Sequence, residues 1–275
     1  MIDFNALPID RPNSQAYNAL VKRMRDDLAK DGCAVVKRVL TDDGLTALAA
    51  EAERTAPKAH RSFNRTNAYF TKDDPSLPED HPRRRFYDRS NAFVAADNFP
   101  KDGPLRRVHD HPGFDAFVRD CLQEEKFFRY ADPLADVIIN TAGEGAGFPW
   151  HFDTNNFTVT LAIQNASSGG AFEYAPGIRT ATEENFDAVQ AVLDGTSENV
   201  TVLHLEPGDL QLFKGRYSLH RVAPLKGPRP RHVAIFSYVE EPGMVGKPER
   251  ARQLYGRVLP IHLEQADVRG DTLID

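Results

Sequence analysis

The spacing of apolar positions divides the chain into a helical beginning and a β-like second half. Over residues 14–30, Tyr17, Leu20, Val21, Met24 and Leu28 recur at three- and four-residue intervals, which predicts a helix with one buried face. Ser14 stands where an N-cap hydroxyl would accept from a free backbone amide. Asp31-Gly32 ends this helix, residues 33–40 read as a strand, and Thr41 caps a second helix running to about residue 54. From 57 to 112 the periodicity fades into Arg, Asn, Asp, Pro and aromatic residues, which predicts loop. A loop of that length inside a compact domain implies work at a site. A short helix is expected at 113–124.

The second half has a different rhythm. Short β-like runs fall at 136–141, 157–164, 171–174, 200–205, 210–213 and 232–239, mostly separated by turns rich in Gly and Pro. This pattern predicts a sandwich or barrel. One helix is expected at 183–193 and another at 248–258. The fold class is therefore mainly β with flanking helices, forming a single domain over 1–275. Within it we expect a helical and loop part with a substrate lid at 1–130, a catalytic β core at 131–240, and a C-terminal helix and tail at 241–275.

Composition narrows the function classes. The formal net charge of -6 argues against a general electrostatic grip on nucleic acid or an anionic membrane. No apolar run is long enough to span a bilayer, and the opening residues lack a basic start followed by an apolar stretch, so a cytoplasmic protein is expected. Cys33 and Cys121 lie far apart with no CxxC partner and read as buried thiols.

The sharpest chemistry lies at Trp150-His151-Phe152-Asp153. In an extended segment residues i and i+2 point to the same side, so His151 and Asp153 can reach one metal ion together. His220 follows 67 positions after Asp153, just beyond the run 207–213. Two imidazoles and one carboxylate on one face of an ion leave its other positions open. An H-x-D pair alone is common in solvated loops; its ordered setting of strands, Gly-Gly turn, P-G-D turn and distant His raises its weight. Of the other histidines, His204 sits in the expected strand 200–205 and reads as structural.

His151-Phe152-Asp153, His220 and Arg231 together resemble the H-x-D…H…R pattern of the Fe(II)/2-oxoglutarate-dependent dioxygenase superfamily, over residues 135 to 240. The resemblance implies a double-stranded β-helix (jelly roll) core. It also implies Fe(II) held by His151, Asp153 and His220, with 2-oxoglutarate and O2 as cosubstrates. More narrowly, HFDTNNFTVTLAIQ is similar to a branch of hydroxylases and radical halogenases acting on free amino acids. In that branch the halogenases carry a small residue where this chain has Asp153, which frees a position for chloride. The retained carboxylate implies hydroxylation in preference to halogenation, with desaturation and cyclisation as alternative outcomes of the same chemistry.

Arg231 matches the family's arginine for the distal carboxylate of 2-oxoglutarate, and a guanidinium fork suits that anion. Arg229 is the alternative, although Pro230 argues against its belonging to the strand. Asn140 resembles an asparagine that some members use for the same cosubstrate, and Thr160 is a further candidate contact. Along 157–164 the threonines and Gln164 share one face and apolar residues the other; alternation alone does not say which face points inward. For the substrate, four arginines within 83–89 suggest an anion-binding lid, with Arg85 and Arg89 flanking Phe86-Tyr87 as candidates. Pairing with nearby acids in a solvated loop is the competing reading. The expected partner is a small molecule, amino-acid-like in the narrower reading, with no nucleic acid and no membrane. Rival functions are a non-catalytic metal- or ligand-binding β-barrel, an oxygenase of macromolecules, and a metal-dependent hydrolase, for which no general base is identifiable.

Overall fold

The computed structural model describes residues 1–264, except for the side chain of Asn91. The helices are α1 Gln15–Asp31, α2 Asp42–Thr55, α3 Pro104–His109, α4 Phe114–Leu122, α5 Phe186–Leu193, α6 Pro248–Tyr255 and α7 Pro260–Glu264. The first seven strands are β1 Cys33–Val36, β2 His60–Thr66, β3 Tyr87–Val94, β4 Phe128–Arg129, β5 Val137–Ala142, β6 Phe148–His151 and β7 Thr158–Gln164. The others are β8 Ser168–Gly169, β9 Phe172–Ala175, β10 Thr201–Leu203, β11 Leu210–Phe213, β12 Leu219–Val222, β13 Leu225–Lys226, β14 Arg231–Phe236 and β15 Tyr238–Val239. No helix among the described residues is long and apolar enough to cross a membrane.

Local signals explain the first elements. The Ser14 hydroxyl accepts from the Tyr17 amide at 3.2 Å, and Gly32 closes α1 in the left-handed region at φ 63°. Tyr17, Val21, Met24 and Leu28 form the buried stripe that the spacing predicts. Burying each such side chain contributes about 1.5–3 kcal/mol, so tertiary contact rather than propensity holds the helix. Thr41 caps α2 through the Gly44 amide at 3.0 Å.

Two antiparallel sheets form the jelly roll. The larger has the order β1-β11-β7-β14-β5-β3-β2, and the smaller β10-β9-β12-β6. The outer face of the larger sheet carries Val137, Ile139, Val159, Leu161, Ile163, Leu210, Leu212, Ala234 and Phe236, packed in one core with Met24, Leu28, Leu48 and Phe117 from the helices. The helices therefore cover that face. Its other face looks toward the smaller sheet, where Phe213 meets Phe172 and Tyr174 edge-on. This settles the alternation in β7: the threonines point into the barrel.

Three readings from the sequence need correction. Residues 57–112 are not mostly loop, because β2 and β3 pair over their whole length from His60↔Phe93 to Thr66↔Tyr87 and join the larger sheet through β5. Their sequences are polar on both faces, so no hydrophobic alternation marks them; one polar face is buried in the barrel rather than wet. The strand expected at 33–40 ends at Val36. His204 lies outside β10, which ends at Leu203. The strands β6 and β12, which carry the two histidines, have four residues each, too few for a period of two to declare itself.

Candidate metal centre

His151 ends β6 and His220 lies in β12, and the register of these neighbouring strands makes them direct partners. Asp153 follows His151 on a loop whose amide donates to the Gly215 carbonyl at 3.1 Å. Asp153 Oδ1 stands 3.8 Å from His151 Nε2 and 3.4 Å from His220 Nε2. One ligand atom from each residue lies within 4.8 Å of the others, and these are the three groups the sequence singled out.

The surroundings orient each ligand. His151 Nδ1 donates to the Pro149 carbonyl at 2.7 Å, and His220 Nδ1 to the Ser218 carbonyl at 2.9 Å. A carbonyl can only accept, so both rings carry a proton on Nδ1, which turns Nε2 of each toward the shared site. The Thr158 hydroxyl donates to Asp153 Oδ2 at 2.6 Å, which leaves Oδ1 for an ion. Burial, then the neighbouring His220 and Arg89 charges, lowers the His151 pKa well below the usual range, so the ring stays neutral. Burial alone would raise the Asp153 carboxyl, but the two imidazoles and Thr158 outweigh it and hold Asp153 ionised. Two imidazoles directing Nε2 at one carboxylate, all preoriented, are the donor set of a divalent transition metal.

The loop bearing Asp153 is clamped from outside. The buried Arg179 guanidinium lies 3.9 Å from the Phe152 ring centroid, and its Nε donates to the Arg216 carbonyl at 2.7 Å. Arg216 in turn donates to the Thr154 carbonyl at 2.9 Å. Gly215 allows the closest approach: a Cβ there would sit 1.9 Å from Asp153 Oδ2. No sequence periodicity marks Gly215, Arg179 or Arg216, because their roles come from contacts across the chain.

Arg231 opens β14 on the inner face and is 9% exposed, with no hydrogen bond or ion pair to any described residue. Burial without a counter-charge pulls its pKa down. A guanidinium stays charged at any ordinary pH, so this desolvation asks for an anion from beyond the described residues. Arg229 is exposed and weakly engaged with Gln164 at 3.4 Å. Asn140 is buried on the inner face; its amide donates to the Ala92 carbonyl at 3.2 Å, and its Oδ1 has no partner. Thr160 donates to Gln211 Oε1 at 3.0 Å, so its hydroxyl hydrogen is already committed.

The two substrate-binding candidates part company. Arg85 ion-pairs with Asp194 at the end of α5. Arg89 is half-buried beside the metal ligands, with its guanidinium 4.7 Å from the Phe70 ring centroid and 5.2 Å from that of Phe148. Phe70 itself lies 5.8 Å from the His151 ring and holds φ 58°, a strained value for a bulky residue. Asn67 maintains that turn: it accepts from the Tyr69 and Thr71 amides and donates to Thr71 and to the Arg83 carbonyl. Strain held by so many bonds next to a metal site is the pattern of a preorganised pocket wall.

The family model described as Halogenase D matches residues 16–247. The chain belongs to that family. Its fold is shared with an oxidoreductase of the 2OG-Fe(II) oxygenase family from Burkholderia pseudomallei, 13% identical, with 81% of this chain and 92% of that chain covered at a TM-score of 0.53. It is also shared with the epimerase SnoN in complex with Fe3+, alpha ketoglutarate and nogalamycin RO, 14% identical, covering 81% and 84% at a TM-score of 0.56. HygX from Streptomyces hygroscopicus, solved with nickel and 2-oxoglutarate, is 12% identical, covering 79% and 86% at 0.54. At such identities the likeness is one of fold. A comparison with curated proteins finds no match. The Halogenase D match and the shared fold bear out the Fe(II)/2-oxoglutarate oxygenase superfamily expected from the H-x-D…H…R pattern.

Proposed function

We propose that this member of the Halogenase D family hydroxylates an unactivated C–H of an amino-acid-like small molecule, with Fe(II), 2-oxoglutarate and O2. His151, Asp153 and His220 would hold the iron, and Arg231 would take the distal carboxylate of 2-oxoglutarate, with Asn140 and Thr160 nearby. Iron bound with 2-oxoglutarate and O2 supplies the oxidising power to cleave such a bond, leaving succinate and CO2. The chain's residues hold and orient the reactants. The barrel's inner face excludes bulk water, and Arg89 offers a half-buried cation beside the metal ligands to a substrate carboxylate.

The observation that carries hydroxylation is Asp153, ionised and aimed between the two imidazoles. A halide would have to displace this bound anion. The family description favours halogenation as the second reading. Mass spectrometry of turnover in abundant chloride separates them: a product 16 mass units heavier, or a desaturated or cyclised one, supports the first reading, whereas a dominant chlorine isotope pattern overturns it. Succinate release against free amino acids and their derivatives tests the substrate class.

A further inference from the structure

The inner face of the β2–β3 hairpin carries oxygens that no group among the described residues uses. Ser62 Oγ and Asn64 Oδ1 are buried, and neither has a hydrogen-bond partner. Two residues apart on β2, they share one face. The register sets Asn64 directly across from Arg89, and Ser62 across from Asn91. Cross-strand partners lie on the same face with Cβ atoms about 5 Å apart. Asn64 and Ser62 therefore look inward from beside the one arginine of the hairpin that adjoins the metal ligands.

This face is also roofed. α6 packs against both β2 and β3. Its closing residue, Gly256, has no room for a side chain, because a Cβ would meet His60 Nδ1 at 2.6 Å on the same face of β2. Bulk water is thus kept from the two oxygens. Buried polar atoms are nearly always paired, so an occupant bearing N–H groups would meet an existing need.

We infer that Asn64 and Ser62 form a second polar subsite of the substrate pocket and take an amine or ammonium of the substrate, one strand away from the carboxylate at Arg89. This inference rests on the proposed role of Arg89. The Asn64 oxygen can only accept and the Ser62 hydroxyl can accept as well, so the pair selects a donor. With both polar ends anchored on the hairpin, the rest of the substrate extends toward His151, Asp153 and His220. Asn64 is then a specificity-determining residue that touches substrate and not metal.

The test uses the protein loaded with Fe(II) and 2-oxoglutarate without oxygen. Binding of the common L-amino acids, and of the des-amino acid matching each binder, is measured by calorimetry. The wild type should prefer the amino acid by about ten- to a hundred-fold, the range expected for charged hydrogen bonds. Asn64→Leu should erase that preference and leave the affinity for the des-amino acid unchanged. Asn64→Asp keeps the acceptor and should keep the preference. Asn64→Leu should also melt no lower than wild type, since it replaces an unpaired buried polar group by an apolar one.

A wild type without preference, or an Asn64→Leu variant that loses both ligands alike, overturns the subsite and leaves Arg89 standing. Arg89→Met should weaken both ligands by the same factor; unchanged binding of the des-amino acid would remove the carboxylate anchor itself. Absence of any amino-acid binding would remove both readings together.

Discussion

His151 and His220 face each other across one rung of the smaller sheet, their ring centroids 4.2 Å apart. Each imidazole is steered by a carbonyl two residues earlier in the sequence. The sheet therefore presets two of the three ligands before any ion arrives.

From this pairing, His151→Ala, Asp153→Ala and His220→Ala should each abolish Fe(II)-dependent turnover with the fold intact. A chelator should do the same reversibly. Titration with Co(II), followed by its visible spectrum, separates lost metal binding from lost folding. Turnover retained in His220→Ala at matched iron would refute the triad.

Arg231→Leu should raise the apparent 2-oxoglutarate requirement about ten- to a hundred-fold, the equivalent of one lost charged hydrogen-bond pair. The guanidinium has no counter-charge among the described residues, so the melting temperature without cosubstrate should not fall. Arg229→Ala should change neither. If Arg229→Ala alone shows the kinetic loss, the two roles exchange.

Gly215→Ala tests the close approach to the carboxylate. Its Cβ would fall 1.9 Å from Asp153 Oδ2, forcing the carboxylate off the Thr158 hydroxyl and out of line with the imidazoles. Metal affinity should drop by about ten- to a hundred-fold, as for other groups that orient metal ligands. Thr158→Val should weaken the metal less, because it removes the tether without displacing the carboxylate.

His109 predicts part of the acid stability limb. It is fully buried against Phe236 and Tyr238, and neither nitrogen is hydrogen-bonded. Asp110 Oδ1 approaches Nδ1 at 3.5 Å but is engaged by Arg129 at 2.6 Å. Burial, with help from Arg129 and Arg106, pushes its pKa down to about 3. Between that value and the ordinary histidine range the unfolded chain binds the extra proton, so stability is present above the range and lost as pH falls. From pH 7 to pH 5 the loss is about 2 kcal/mol. His109→Leu should flatten that limb by this amount in denaturant melts; an unchanged slope would show that the ring takes its proton in the native state.

The sequence alone determined what depends on neighbours along the chain. Ser14, Thr41 and the apolar stripe of α1 act through local hydrogen bonds and a 3.6-residue period, so those elements were legible. The H-x-D spacing placed two ligands on one side of an extended segment, and the Gly- and Pro-marked runs announced a barrel. Tertiary structure decided the rest, for reasons of distance. Only strand register brings His220 opposite His151, and only sheet packing turns the threonine face of β7 inward. Only burial distinguishes Arg231 from Arg229, and only the fold carries Arg89 to the metal ligands while it pairs Arg85 with Asp194. The β2–β3 hairpin stayed hidden because its inner face is polar and buried at once, a combination that alternation of apolar residues cannot signal.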